Sequence, residues 1–542
     1  MTFNHPMAPT IAPRIPASQS PNRVTRLTTP RRRTISATAA VALLFGSLTC
    51  IAQSTAPNPA PAPVPASAGH PIAPAPADPA IAAALTQVSP DKIQATIARL
   101  VQFNNRSTIS SLDTDLPANT GIRPAADWIE SQFKQISAAC NNCLEVKRDD
   151  FTEPGSEAQN SRIRKPTPLT NIYAVLRGTD PAQAARRVLV TGHYDSRNSD
   201  NFNTHDAAPG ANDDASGVAV SLECARILSQ LKFPSTIVFV AVAGEEQGLN
   251  GSRHLARLAK SEGWQLEAVL NNDIVGGDTT PADLANEDKS AVRVFSEGVP
   301  SPVTPEGAPD QIRLIHSLGS DSDAPSRELA RTIADVDRTY FATPFIHAHH
   351  LPVGVSPTPR YFHPVLIFRA DRYLRGGDHT SFNLEGFPAV RFTEWRENFD
   401  HQHQNIRVEN GIQYGDLLQY VDFTYVANVA RLNAAVLANL AAAPGPPRNV
   451  HILTQALDNN TELTWDAPIG APANTTYEVV WRPTDQPTWT DSLTVSTTNL
   501  RIALSKDNVV FGVRSTDPAG HRSVAIFPLP QSRSTPPPTP KS

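Results

Sequence analysis

Apolar positions along this chain change period again and again. SPDKIQATIARLVQF, from residue 89, carries apolar residues three to four apart behind a possible Ser89 cap, which predicts a helix. GIRPAADWIESQFKQI repeats the spacing. Short continuous apolar runs then alternate with helical text. NIYAVLRG, RVLVTGHYDS, STIVFVAVAG and LEAVLNNDIVG predict strands, while GVAVSLECARILSQL and GSRHLARLAKSEG predict helices between them. PAVRFTE predicts a last strand, and NGIQYGDLLQYVDFTYVANVARLNAAVLANLA one or two helices. Strands that are apolar throughout are buried on both faces. The alternation therefore predicts an α/β fold with a mainly parallel central sheet flanked by helices.

Two stretches break that rhythm. Residues 280–375 are rich in proline and histidine and read as a large insertion near the site. After AAAPGPP the text changes to short alternating strands with frequent turns and a core-type Trp465, which predicts an all-β C-terminal sandwich over 446–530. LTW, YEVVWR and FGVRSTDPAGHRS resemble the second, third and sixth strands of a fibronectin type III domain. The expected organisation is a signal over 1–52, a Pro/Ala linker over 53–80, an α/β domain over 81–443, the sandwich, and a disordered tail over 531–542.

The signal is expected because Arg31, Arg32 and Arg33 precede TISATAAVALLFGSLTCIA, an apolar run too short to span a bilayer comfortably, with the small Ala52 at a cleavage position. No other apolar stretch is long enough to cross a membrane, so no stable span is expected once the signal is removed. Composition sharpens the picture. The chain has 47 basic and 52 acidic residues, and six of its arginines fall in the first 52 positions with no acid among them. The remainder is clearly acidic, which argues against a nucleic-acid partner. Four cysteines are few for 542 residues. Cys140 and Cys143, in CNNC, suit a small disulfide loop in an exported protein better than half of a zinc site, since no second cysteine pair completes one.

In open α/β sheets, ligands bind beyond the carboxyl ends of the strands. RVLVTGHYDS carries His193 and Asp195 at that end, STIVFVAVAG is followed by Glu245 and Glu246, and LEAVLNND ends in Asp273. PGANDDASG places Asp213 and Asp214 at the start of a helix, where a routine N-cap would also explain them. Each feature alone is ordinary. Together they put imidazole and carboxylate groups on one sheet edge, and that much negative charge in one crevice is costly unless a cation offsets it. A His/Asp/Glu set without cysteine suits zinc, and paired ions are a hydrolytic device.

GHYDS, GANDDASG, AGEEQGLNGS, NNDIVG and GGDHTSFNLEGFPAVRFTE, in that order and spacing, resemble the zinc aminopeptidase family with two co-catalytic metals. That family includes secreted bacterial leucyl aminopeptidases and aminopeptidase Y, and more distantly glutamate carboxypeptidase and glutaminyl cyclase. The similarity covers roughly residues 90–440. It implies two Zn2+ ions. His193 and Asp273 would hold one, Glu246 the other, and Asp213 would bridge them. Asp195 would hold the His193 ring in its ligating tautomer. Glu245 would be the general base, taking a proton from the attacking water and passing it to the leaving amine. For the fifth ligand, TEWRENFDHQHQNIRVENG offers His401 and His403 without the Thr and Asp that usually follow. His403 is preferred because it lies nearer the start of the next helix, where that ligand usually sits. Gln402 stands where some relatives carry a tyrosine against the oxyanion. No role matches the histidines of HAHH at 347–350.

The resemblance implies a secreted metallo-aminopeptidase acting on peptide and protein N-termini, outside the cytoplasm, with a bacterial source expected. A carboxypeptidase or glutaminyl cyclase on the same scaffold is the alternative, because loops set specificity. A non-catalytic binding module would be expected to have lost the base or the ligands. The C-terminal sandwich is expected to act as a tether to a surface or polymer, with a spacer or stability cap as the other reading.

Overall fold

The run Thr236–Val242 shows why the sheet forms where it does. Ile237, Phe239 and Ala241 face one apolar core, while Val238, Val240 and Val242 face a second core on the opposite side. Only a strand covered on both faces buries both sets. The computed structural model describes residues 69–300, 307–341, 361–455 and 457–531. The predicted signal, the linker up to residue 68, HAHH and the tail from 532 lie outside them.

From the N-terminus come β1 (His70–Pro71), α1 (Pro79–Leu85), α2 (Pro90–Val101) and α3 (Ile122–Ala139). Ser89 does cap α2, its side chain accepting from the Lys92 N–H. The alternating region supplies β2 (Leu144–Glu153), β3 (Thr167–Leu176), β4 (Arg186–His193), α4 (Ala215–Leu228), β5 (Thr236–Val242), α5 (Asn250–Ser261) and β6 (Gln265–Asn272). Then follow β7 (Ala291–Ser296), α6 (Ala308–Leu318), α7 (Pro325–Tyr340), β8 (His363–Ile367), α8 (Asp378–Leu384) and β9 (Ala389–Glu394). A small hairpin of β10 (Arg407–Glu409) and β11 (Ile412–Tyr414) leads to the long α9 (Phe423–Ala442).

The central sheet has the order β2-β3-β5-β4-β6-β9-β7-β8. Its middle is parallel, through the pairs β5/β4, β4/β6 and β6/β9, and it turns antiparallel at β3/β5, β2/β3 and β9/β7. Side chains of α5 and α8 cover one face, and those of α2, α3, α4, α7 and α9 pack in the core on the other. The alternating, charged LEVKRDDFTE of β2 suits an edge strand. No helix among the described residues is long and apolar enough to cross a membrane.

Two sequence expectations need correction. The stretch 280–375 is not a mere insertion, since it contributes β7 and β8 to the sheet. These strands are only six and five residues long and lie within Pro- and His-rich text, which hides their pattern. The segment read as linker through residue 80 is ordered from Gly69. β1 pairs with a strand of the C-terminal sandwich, and Pro79 already begins α1.

That sandwich contains β12 (Arg448–Leu453), β13 (Thr461–Asp466), β14 (Thr476–Pro483), β15 (Asp491–Val495), β16 (Asn499–Ile502), β17 (Val509–Thr516) and β18 (Leu529–Gln531). One sheet has the order β16-β13-β12-β18 and the other β1-β15-β14-β17. Trp465 is buried between them, edge-on to Tyr477 at 5.5 Å. The sandwich is fixed to α7 and to the turn just before it by buried polar contacts. Arg482 reaches Asp323 (2.6 Å), Arg514 reaches Asp335 (2.5 Å), and Trp489 Nε1 donates to Glu328 (3.2 Å). Cys140 and Cys143 form the expected disulfide, and Cys224 is buried and free.

Candidate metal centre

The carboxyl ends of β4, β5, β6 and β9 open on one crevice, as the parallel arrangement requires. Close backbone contact brings the pieces together. A Cβ on Gly192 would lie 2.4 Å from the backbone of Gly217, so only glycine lets the end of β4 approach the first turn of α4 this closely. His193 at the end of β4 thereby meets Asp213, just before α4.

Two donor clusters result, and they share one residue. His193, Asp213 and Asp273 form the first, and Asp213, Glu246 and His403 form the second. His193 Nε2 lies 3.1 Å from Asp213 Oδ1 and 3.8 Å from Asp273 Oδ1. His403 Nε2 lies 2.9 Å from the other Asp213 oxygen and 3.1 Å from Glu246 Oε1. Each oxygen of Asp213 thus faces a different histidine. Glu246 Oε1 is buried without a hydrogen-bond donor. Imidazole nitrogens and carboxylate oxygens converging at this spacing fit a pair of divalent ions.

The structure brings His403 to this centre, and not His401. His401 stacks on Tyr420 at 4.1 Å and turns Nδ1 toward Asp278 (3.4 Å). Asp195 lies against the His193 ring, with Oδ1 3.4 Å from Nδ1. It also accepts the backbone N–H groups of Glu245 (3.2 Å) and Glu246 (3.1 Å) and the Thr108 hydroxyl (3.0 Å). One carboxylate therefore orients a ring on β4 and the chain end of β5. Glu245 and Glu246 both line the cavity, which has a volume of about 650 Å³. Burial raises the pKa of the Glu245 carboxyl well above its ordinary value, and the charges of Asp273, Glu246 and Asp378 push the same way. Burial opposes charge on His193, yet Asp195, Asp213 and Asp273 hold its pKa well above the ordinary histidine value. So dense an acidic cluster is what bound cations would relieve.

Several further residues position the donors, and of these the sequence already singles out Asp214, as a cap, and Gln402. Asp214 caps α4 through the Gly217 N–H (2.8 Å) and also accepts the His193 N–H (3.0 Å), tying helix to strand. Asp416 accepts the N–H groups of Asn212 (2.9 Å) and Asp213 (2.7 Å). Gln402 donates to Asp213 Oδ2 (3.0 Å). Arg197 donates to Glu246 Oε2 (2.8 Å) and contacts His403 Nδ1. Arg391 lies 3.0 Å from Asp273 Oδ1. Asp416, Arg197 and Arg391 were missed, and of these only Arg391 left a visible signal, as a charge in the middle of an apolar strand. His379, beside the site, has its Nε2 2.8 Å from the carbonyl of Ala370.

An α/β sheet whose parallel strand ends present two donor clusters sharing a carboxylate, with a further carboxylate beside them, is of the class that uses metal ions for hydrolysis. Comparison with known proteins narrows the class. The model of Peptidase family M28 matches residues 171–350. A "Probable zinc metalloprotease" of Pyrenophora teres f. teres is 40% identical over 460 residues, 85% of this chain and 89% of that protein. A protein described in the same words from Leptosphaeria maculans is 41% identical over 460 residues, 85% of this chain and 99% of its own. Among solved structures, the LapA aminopeptidase of Legionella pneumophila is 20% identical with a TM-score of 0.43, covering 67% of this chain and 74% of that one. The chain belongs to peptidase family M28. Both sequence relatives are fungal, so the expectation of a bacterial source finds no support in them.

Proposed function

We propose that this protein is an exported, zinc-dependent exopeptidase that removes N-terminal residues from peptides. The observation that carries the reading is Asp213, whose two oxygens each serve a separate cluster beside the half-buried Glu245. His193 and Asp273 would hold one zinc, Glu246 and His403 the other, and Asp213 both. When bound, the ions polarise the scissile carbonyl and make water a nucleophile at neutral pH. Glu245 takes the proton of the attacking water and delivers it to the leaving amine, for which its position on the cavity wall suits it. Asp195 keeps Nδ1 of His193 engaged, leaving Nε2 for the metal.

Export rests on the signal-like segment before residue 53. The sandwich is proposed to be of fibronectin type III kind. In support, β13, β14 and β17, which carry the resembling text, are the second, third and sixth of its strands from β12 onward. Its buried ion pairs with Asp335 on α7 and with Asp323 just before that helix favour a stabilising role over that of a loosely attached tether.

The deciding experiment assays the purified protein on aminoacyl-anilides and on N-blocked peptides, with and without a chelator. Release of N-terminal residues that stops on chelation and returns with zinc is expected. Cleavage of blocked peptides, or activity that survives chelation, would overturn the aminopeptidase reading.

A further inference from the structure

The cavity beside the metal centre is lined by more cations than its own chemistry uses. Arg162, Arg197, Arg372, Arg375 and Arg391 all face it, against the carboxylates of Asp213, Glu245, Glu246 and Asp273. Each of those carboxylates has a task in the reaction proposed above, as metal ligand or as base. Three of the arginines are committed to structure. Arg391 spans Asp273 and Asp371, Arg372 spans Asp371 and Glu397, and Arg197 is held on Glu246.

The other two have charge to spare. Arg375 bonds Glu397 (2.9 Å), but that carboxylate is already shared by Arg372 (2.6 Å) and Arg293 (3.0 Å). Arg162 meets the backbone carbonyl of Glu246 (2.5 Å) and pairs with no carboxylate among the described residues. The Arg375 guanidinium lies 5.7 Å from the ring centroid of Phe399, a contact that favours a fixed orientation for the planar fork. Divalent ions held by the neighbouring clusters would add further positive charge. Guanidinium forks suit carboxylates, which they can engage through two parallel hydrogen bonds. A purely aliphatic substrate group would desolvate these cations and give them nothing in return.

We propose that this pocket selects substrates carrying a carboxylate next to the scissile bond, received by Arg375 with Arg162 assisting. The proposal rests on the exopeptidase reading and deepens it. The carboxylate has two possible sources, an acidic side chain on the released residue or the free C-terminus of a dipeptide, and both present the same group to the same forks.

The test compares kcat/KM of the zinc-loaded enzyme on glutamyl-, leucyl- and lysyl-4-nitroanilide, and on Leu-Leu against Leu-Leu-amide. A side-chain source predicts glutamyl over leucyl by about tenfold or more, with lysyl poorest. A terminal source predicts the same margin for Leu-Leu over its amide. In either case Arg375→Gln brings the favoured ratio close to one, Arg162→Gln reduces it, and Arg375→Lys restores part of it. In parallel, a side-chain source predicts that L-glutamate raises the melting temperature of the zinc-loaded protein more than L-leucine does, a terminal source that L-leucine raises it more than L-leucinamide does, and Arg375→Gln should remove whichever difference is found. Hydrolysis without a carboxylate preference on either pair, or a preference that survives both glutamine variants, overturns this proposal and leaves the exopeptidase reading standing. Hydrolysis of none of these substrates defeats both.

Discussion

Arg391, in the middle of β9, places Nη2 3.0 Å from Oδ1 of Asp273, at the end of the neighbouring strand β6. Arg391 is fully buried, and its other terminal nitrogen is engaged by Asp371 and the Gly376 carbonyl. The guanidinium therefore fixes a proposed ligand from behind. Partners of this kind are typically worth ~10–100-fold in metal affinity. Arg391→Met, which keeps most of the stem's volume, should weaken binding of one zinc by that order while leaving the second. Competition with a chromophoric chelator reads both stoichiometry and affinity, and two unaltered sites would refute the link.

The adjacent glutamates should separate cleanly. Glu245→Gln should bind zinc normally and lose about 10²–10⁴ in kcat, the usual contribution of a general base. Glu246→Gln should lose zinc itself, since Glu246 belongs to the cluster with Asp213 and His403. Metal analysis beside kinetics distinguishes them. Loss of zinc in the first variant would mean the two roles are exchanged.

The two histidines of the HQH stretch give a similar contrast. His403→Asn should remove one zinc and most activity. His401→Asn should retain both ions, because His401 contacts Tyr420 and Asp278 instead of the cluster. Zinc content is the measurement, and depletion in His401→Asn would contradict the geometry.

The parts of this fold that were legible share a physical reason. β4, β5 and β6 are buried on both faces, so their text is continuously apolar, and the polar residues that follow mark the strand ends. This is why His193, Glu245, Glu246 and Asp273 could be placed on one sheet edge before any geometry, whereas Asp213 stood at a helix start and the choice of ligands within the two acidic pairs came from the family resemblance. β7 and β8 are short, and β8 is only half-buried, so neither produced a readable pattern within their proline-rich surroundings. Asp416 bonds Asp213 across 203 positions, a relation no local pattern can carry. The choice between His401 and His403 depends on a loop, where periodicity says nothing about direction.

The sandwich offers a test of its own. Arg514, buried on β17, bonds Asp335 on α7 (2.5 Å) and Glu478 on β14 (2.7 Å), so one side chain ties the two layers of structure together. Removing one member of a buried charge network leaves the others unpaired, which typically costs about 3–5 kcal/mol. Arg338 and Arg522 also contact these carboxylates, which places the expected loss for Arg514→Ala near the lower end. Denaturant unfolding measures it. A loss close to zero would show that the sandwich is held to α7 by other contacts.

Asp337, on α7, supplies a pH test away from the metal centre. Burial pushes its carboxyl up to about 8, against the partial relief of Arg338, and its Oδ1 has no hydrogen-bond partner. In the unfolded chain the same group ionises near the ordinary value of about 4. Between these values the folded state keeps a proton that the unfolded state has released, so rising pH favours unfolding. This contribution to stability is fully present below about pH 4 and is lost as the pH climbs toward about 8, at up to about 1.4 kcal/mol per pH unit. Asp337→Asn removes the ionisable group and keeps its shape. The variant should melt well above the parent at pH 8 and together with it at pH 4. A constant difference across that range would mean that the carboxyl is already ionised in the folded protein, and that burial does not control its charge.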